Sequence, residues 1–154
     1  MSTPLVALRP TTEGEFPELF ERAVESFAAG VGPARDLEPA SALRYARESI
    51  AKLVPNGLHS PHQLIYTAWA GDVMVGSVWI GTAGPIPYIY NLEVLADQRG
   101  RGYGRAIMLA TADECRRLGY HRLDLNVFAD NAAALNLYTS LGYTVVSQQM
   151  RREL

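Results

Sequence analysis

The spacing of apolar residues along this chain changes near residue 63. Before that point they recur every three or four positions; after it they alternate or run in short blocks. In "TTEGEFPELFERAVESFAAG", Phe16, Leu19, Phe20, Ala23, Val24 and Phe27 share one helical stripe, and Gly30 stands where a C-terminal cap belongs. A second helix is predicted from about Glu38 to Val54. It carries Leu43, Ala46, Ile50 and Leu53 on one face, with Pro55, Asn56 and Gly57 to stop it. Between the two, "AAGVGPARDLEP" reads as a Gly/Pro-rich connection. Ahead of both, "PLVALRP" is a short apolar run halted by Pro10, the pattern of an edge strand.

Beyond residue 63, "QLIYTAWA", a Gly71-Asp72 turn and "VMVGSVWI" predict a β-hairpin. "GTAGPIP" is a further turn, and "YIYNLEVL" (88–95) a third strand of this group. Helical spacing returns over 103–118, with Tyr103, Ile107, Ala110, Cys115 and Leu118 facing inward and Gly119 ending the run. "HRLDLNVF" (121–128) predicts a strand, "NAAALNLYTSL" (131–141) a helix closed by Gly142, and "YTVVSQQMRREL" a last strand. The order is βααβββαβαβ, an α/β pattern with no repeat, low-complexity tract or internal linker. Residues 1–154 are therefore expected to form a single domain.

Composition narrows the function classes. The 154 residues are 48% hydrophobic and 19% charged, enough to bury a substantial core. A formal net charge of −2 gives no global basic field, so neither nucleic acid nor an anionic membrane is expected as partner. Cys115 is the only cysteine, which excludes an intramolecular disulfide and a thiolate-built metal site. "MSTPLVALRP" lacks the basic and long apolar regions of a signal peptide, and no run approaches 18 apolar residues. A cytoplasmic location is the expectation.

One stretch departs from the mild overall charge. "QRGRGYGR" (98–105) follows a strand, opens a helix, and holds three glycines and three arginines. A helix N-terminus leaves unpaired N–H groups and about half a positive charge. A glycine turn ahead of it lets a phosphate reach the backbone without meeting a Cβ. Arg99, Arg101 and Arg105 add charge around it, so the local physics predicts an anion site suited to a di- or triphosphate. No Gly-Lys-Ser/Thr follows, so this is not a P-loop. The third glycine of a dinucleotide fingerprint falls on Arg105 or Ile107.

Downstream, Asn131, Ala134 and Tyr138 stand at i, i+3 and i+7, along one stripe of a helix. Together with Arg99-x-x-Gly102-x-Gly104 after "NLEVL", the stretch resembles the GNAT superfamily of N-acetyltransferases over roughly residues 88–150. It is most similar to bacterial members with an "LNVF" strand and a Gln-Met strand near the C-terminus. The resemblance implies a GNAT fold: a central mixed, twisted sheet of six to seven strands flanked by about four helices. It implies acetyl-CoA as cosubstrate, no metal, and an amine acceptor that is a small molecule or a peptide or protein.

Carried over position by position, the resemblance has the pantetheine arm pair with the backbone of Leu92, Glu93 and Val94. The pyrophosphate falls on the loop Arg99, Gly100, Arg101, Gly102, Tyr103, Gly104 and Arg105. The amide of Leu92 would hold the developing oxyanion. Asn131 would bond the pantetheine arm, with Ala134 beside it on the same stripe. Tyr138 would act as general acid toward the leaving thiolate. Some relatives carry a basic glutamate where this chain has Asn126. That leaves Glu93, expected as a lone carboxylate in a buried strand, or a water held near Tyr88 or Tyr90, as routes for removing the amine proton. Strand alternation sets Glu93 opposite to Leu92 and Val94, which also fits a carboxylate paired with an arginine behind the sheet.

Other chemistry-bearing residues have simpler readings. His59, His62 and His121 are scattered. Cys115 fits a core position better than a nucleophile. Glu13, Glu15, Glu18, Glu21 and Glu25 fit a solvated helix face. The twelve residues after Gly142 predict an abbreviated C-terminal edge and an open acceptor mouth, one that a second copy in a homodimer would complete. A GNAT-type module that binds coenzyme A without turnover is the alternative to an enzyme.

Overall fold

The computed structural model describes residues 2–154. The chain builds a five-stranded sheet with helices on both faces. β1 (Ala7–Pro10), β2 (Gln63–Ala70), β3 (Val73–Gly81) and β4 (Tyr88–Val94) pair antiparallel in sequence order. β5 (Asp124–Leu125) joins β4 in parallel through Tyr88–Asp124 and Ile89–Leu125 alone. The β2–β3 hairpin forms as predicted, with β3 one residue longer than expected, and Gly71 holds φ +60° in the turn where a β-carbon would be strained.

α1 (Phe16–Arg35) and α2 (Pro39–Ala51) cover one face. Entry to α1 is fixed by reciprocal bonds: Glu15 N–H donates to Thr12 Oγ1 (3.3 Å), and Thr12 N–H to Glu15 Oε1 (2.9 Å). Leu19, Ala23, Val24 and Ala28 meet Ala42, Ala46, Ile50, Ile65 and Trp79 in the core beneath them. α3 (Tyr103–Arg117) covers the other face, where Ile107, Met108 and Cys115 meet Ala68, Val78, Ile80 and Ile89. α4 (Ala132–Ser140) follows β5 and buries no residue fully. No helix is long and apolar enough to cross a membrane.

Four expectations need correction. Gly30 does not end the first helix, which runs on through Gly32 and Pro33 to a left-handed cap at Asp36. The glycine is there because the Phe128 ring lies where a β-carbon would be, and most of the supposed connection is therefore helix. On α2, Ala42 is buried and Leu43 is exposed, because the small Ala42 fits against Gly32 of α1, and Leu118, expected to face inward, is exposed as the residue that caps the C-terminus of α3. The strand expected over 121–128 is two residues long. The expected sixth strand is absent: residues 143–154 carry no sheet pairing, and the sheet has five strands where six to seven were expected.

A physical reason connects the last two corrections. Phe128 is drawn onto Phe27 of α1 (ring centroids 6.4 Å) and Gly30, which pulls the chain away from β4 after Leu125. The edge offered to a following strand is then only two residues long, too little to hold one. Val145, Val146 and Met150 stay exposed.

Candidate active site

β4 carries an irregularity on which the site depends. Trp79 pairs with Asn91 and Ile80 with Ile89, so Tyr90 is an extra residue, a β-bulge. Pairing with β5 stops there. Beyond the bulge, β4 has β3 on one side and an open gap on the other. Leu95 N–H donates to Val75 C=O at 2.9 Å, and Glu93 lies opposite Ser77. Antiparallel alternation therefore turns the backbone groups of Asn91 and Glu93 toward β3, and those of Leu92 and Val94 toward the gap. Arg99 Nε donates to the Val94 carbonyl at 3.2 Å from that open side.

The side chains divide the other way. Leu92 and Val94 pack on the α3 side. Glu93 points to the α1 side, where Arg22 Nε donates to its Oε1 at 2.5 Å. The lone carboxylate expected of Glu93 is thus one half of an ion pair, only 11% exposed at its side chain. Asn91 lies opposite Trp79 of the α1-side core, and its Nδ2 is buried with no hydrogen-bond partner among the described residues. Tyr88 and Tyr90 follow on the same strand, ring centroids 5.0 Å apart. Burial raises the Tyr88 phenol above its ordinary range, with smaller contributions from Tyr90 and Asp124.

At the C-terminal end of β4 the glycine turn takes the predicted form. Gly100 and Gly102 hold φ of +77° and +84°, a region disfavoured for side-chain-bearing residues, and Gly102 is the left-handed N-cap of α3. No side chain caps the helix; its first backbone bond is Ala106 N–H to Gly102 C=O (3.2 Å). The amides of Tyr103, Gly104 and Arg105 precede that bond. Arg105 Nη2 donates to Ser140 Oγ (2.7 Å), tying α3 to α4, while Arg99 folds back on β4 and Arg101 stays exposed. A β-carbon on Gly104 would lie 3.5 Å from Leu137 and 3.8 Å from Val94, so α3, α4 and β4 converge there.

Asn131 is the N-cap of α4, its Oδ1 accepting from the Ala134 amide at 3.2 Å. That cap occupies its oxygen. Tyr138 packs against the same α3-side cluster as Leu92, Val94 and Leu137, with its ring 5.8 Å from Tyr143. Burial raises its phenol above the ordinary value, so it holds its proton more firmly than a free tyrosine. The structure therefore gathers Leu92, Val94, Gly102–Arg105 and Tyr138 around one gap, and sets Glu93 behind it. Asn126 is exposed.

Arg22 and Asn91 escape a reading by spacing. The one signal for Arg22 is its place beside Leu19 and Ala23 on the buried stripe of α1. The acidic stripe on that helix is largely engaged: Glu21 takes two 2.7 Å bonds from Arg47, Glu13 pairs with His59, and Glu15 caps the helix. Among the described residues, no group of three or more His, Cys, Asp or Glu side chains is placed to hold a metal. Burial raises the Cys115 thiol, the reverse of what a nucleophile needs.

Known proteins resemble the chain in sequence and in fold. Two Bacillus subtilis proteins, the uncharacterised N-acetyltransferases YycN and YdgE, are 26% and 28% identical to the chain. YycN aligns over 97% of this chain and 99% of its own; YdgE over 96% and 97%. The crystal structure of YycN superposes with a TM-score of 0.91, covering 97% of this chain and 98% of that one. The PaiA N-acetyltransferase of Thermoplasma acidophilum, solved in complex with coenzyme A, shares the fold at 16% identity (TM-score 0.71, covering 97% and 94%). Residues 18–143 match the model of the acetyltransferase (GNAT) family, and the chain belongs to that family.

Proposed function

We propose that residues 1–154 act as one domain that moves an acetyl group from acetyl-CoA to a primary amine, by direct attack in a ternary complex. The observation that carries this is the gap beside β4, where the strand edge at Leu92 and Val94 runs into an uncapped helix start behind two left-handed glycines. These residues fit coenzyme A. An extended amide-bearing arm can pair with a free strand edge, and a pyrophosphate matches the amides of Gly102–Arg105. The coenzyme A of the Thermoplasma acidophilum protein supports that choice. As acetyl-CoA is a cytosolic metabolite, the proposal also places the protein in the cytoplasm.

Within this reading Leu92 N–H, aimed into the gap, stabilises the oxyanion, and the Asn131 amide nitrogen bonds the pantetheine arm. Tyr138, kept protonated by burial, donates to the departing thiolate. The acceptor proton leaves through Glu93 Oε2, Oε1 being held by Arg22, or through water beside Tyr88 and Tyr90. Acetyl-CoA should raise the melting temperature saturably and release thiol with an amine panel. Tyr138→Phe should lower turnover by about a hundredfold while sparing the thermal shift; unchanged turnover removes the role. A second reading, binding without turnover, draws on the Arg22–Glu93 pair, which leaves no unpaired carboxylate on β4. It predicts the shift with no thiol release from any amine.

A further inference from the structure

Where α1 ends, the C-terminal tail returns to it. Arg151 Nη2 donates to the carbonyl of Ala34 in the last turn of α1. Beside that bond is a cavity of about 400 Å³ lined by Ala34, Arg35, Leu37, Tyr45, Gln149 and Arg151. Its charged lining is entirely cationic. Arg35 sits over the Tyr45 ring, its guanidinium carbon 4.7 Å from the centroid, and it has no carboxylate partner among the described residues. A guanidinium held over an aromatic face keeps N–H donors available for a planar anion.

An aromatic wall joins this cavity to the end of β5. Tyr45 stacks on Phe27 at 6.2 Å, and Phe27 meets Phe128 at 6.4 Å. Phe128 lies three residues beyond Leu125, where the sheet parts into the gap. An elongated molecule lying on Phe27 and Phe128 would therefore have one end at the gap and the other at Arg35 and Arg151. The partial negative charge of the α1 C-terminus and the neighbouring Asp36 offset part of the two positive charges, which suits a monoanion better than a phosphate dianion.

We propose that Arg35 and Arg151 form a carboxylate subsite, and that the acceptor is an amine carrying a carboxylate set back from it by an apolar body, as in a short apolar peptide. The subsite deepens the acetyl-transfer reading and rests on it only for the claim that its occupant is acetylated. Two guanidiniums, Arg35 with no carboxylate partner and Arg151 with donors beyond the one spent on Ala34, together with a wall of rings select such a molecule over a polyamine, which both arginines repel, and over a bare alkylamine.

The test compares an apolar tripeptide as free acid and as C-terminal amide, using coenzyme-A-saturated protein for calorimetry and acetyl-CoA for rates. The acid should bind, and show a kcat/KM, about tenfold better than the amide, mainly through KM, as expected for a charge-assisted pair. Arg35→Gln and Arg151→Gln should each bring the acid-to-amide ratio toward one while the acetyl-CoA thermal shift stays as in wild type. A wild-type ratio near one, or a ratio that survives both substitutions, overturns the subsite. Acid-selective binding without thiol release upholds the subsite and overturns acetyl transfer; thiol release with equal binding of acid and amide does the reverse.

Discussion

Gly30 sits in mid-helix, where alanine would ordinarily be the better residue by about 1 kcal/mol. In this fold its missing side chain makes room for the Phe128 ring. Gly30→Ala gains that propensity, but its methyl group takes the place of ring atoms. Either the ring is forced against its neighbours, at about 1–3 kcal/mol, or it swings out and forfeits much of the about 1.5–3 kcal/mol that burying a phenylalanine supplies. The net expectation is a loss of about 1 kcal/mol, seen as a melting temperature lower by about 2–4 °C. Phe128→Ala removes the obstacle, so Gly30→Ala in that background should stabilise by about 1 kcal/mol. Urea titrations of the four proteins in this cycle measure a coupling of about 2 kcal/mol. If Gly30→Ala has the same sign and size in both backgrounds, the glycine is not there for Phe128.

Two further outcomes follow from pairs and burial. Arg22→Met leaves the Glu93 carboxylate largely buried with its Oε1 unpaired, and should cost about 1–3 kcal/mol by denaturant titration, more than Glu93→Gln, because the charge that substitution leaves, on Arg22, is the more exposed of the two and still lies 3.8 Å from Glu18. Tyr66 and Tyr143 both titrate at about 12 in the folded chain, raised first by burial, with Glu114 next for Tyr66 and Cys115 for Tyr143. A phenol that holds its proton more tightly when folded stabilises fully below the unfolded value near 10 and loses that contribution as pH rises toward 12. Melting temperature should fall across that window, and less steeply in Tyr143→Phe; a flat alkaline profile contradicts the burial.

How much was legible in the sequence depends on the range over which each signal acts. The β2–β3 hairpin and the glycine turn are set by neighbours within four residues, and each forms where alternation or φ preference places it, whereas Asn131, read from its spacing as the first residue of a helical stripe, stands just outside the helix as its N-cap. Gly30 misleads because a glycine that ends a helix and one that admits a distant ring look the same in a string; its partner is 98 residues away. β5 and the tail fail for the same reason. "HRLDLNVF" and "YTVVSQQM" have strand composition, but Phe128 answers to α1 instead of to the sheet. In the site, the groups on β4 follow from alternation, whereas the Arg22–Glu93 pair spans 71 positions and joins elements whose juxtaposition only the fold supplies.

Residues 121–154 are held to the remainder by a two-residue ladder, by the Phe128 ring, by the single bonds of Ser140 and Arg151, and by the side chains of a helix that buries nothing fully. A segment tethered so lightly opens at a free energy well below that of global unfolding, while β2 and β3 exchange their amides only through the latter. On the proposed donor path a single molecule touches both parts, the β4 edge on one side and α4 on the other. Order in the segment and affinity for the donor then belong to one equilibrium. Saturating coenzyme A would protect α4 amides from hydrogen exchange and leave the hairpin unchanged. A substitution far from the gap that loosens 121–154 would weaken the donor by the fraction of time the segment spends open.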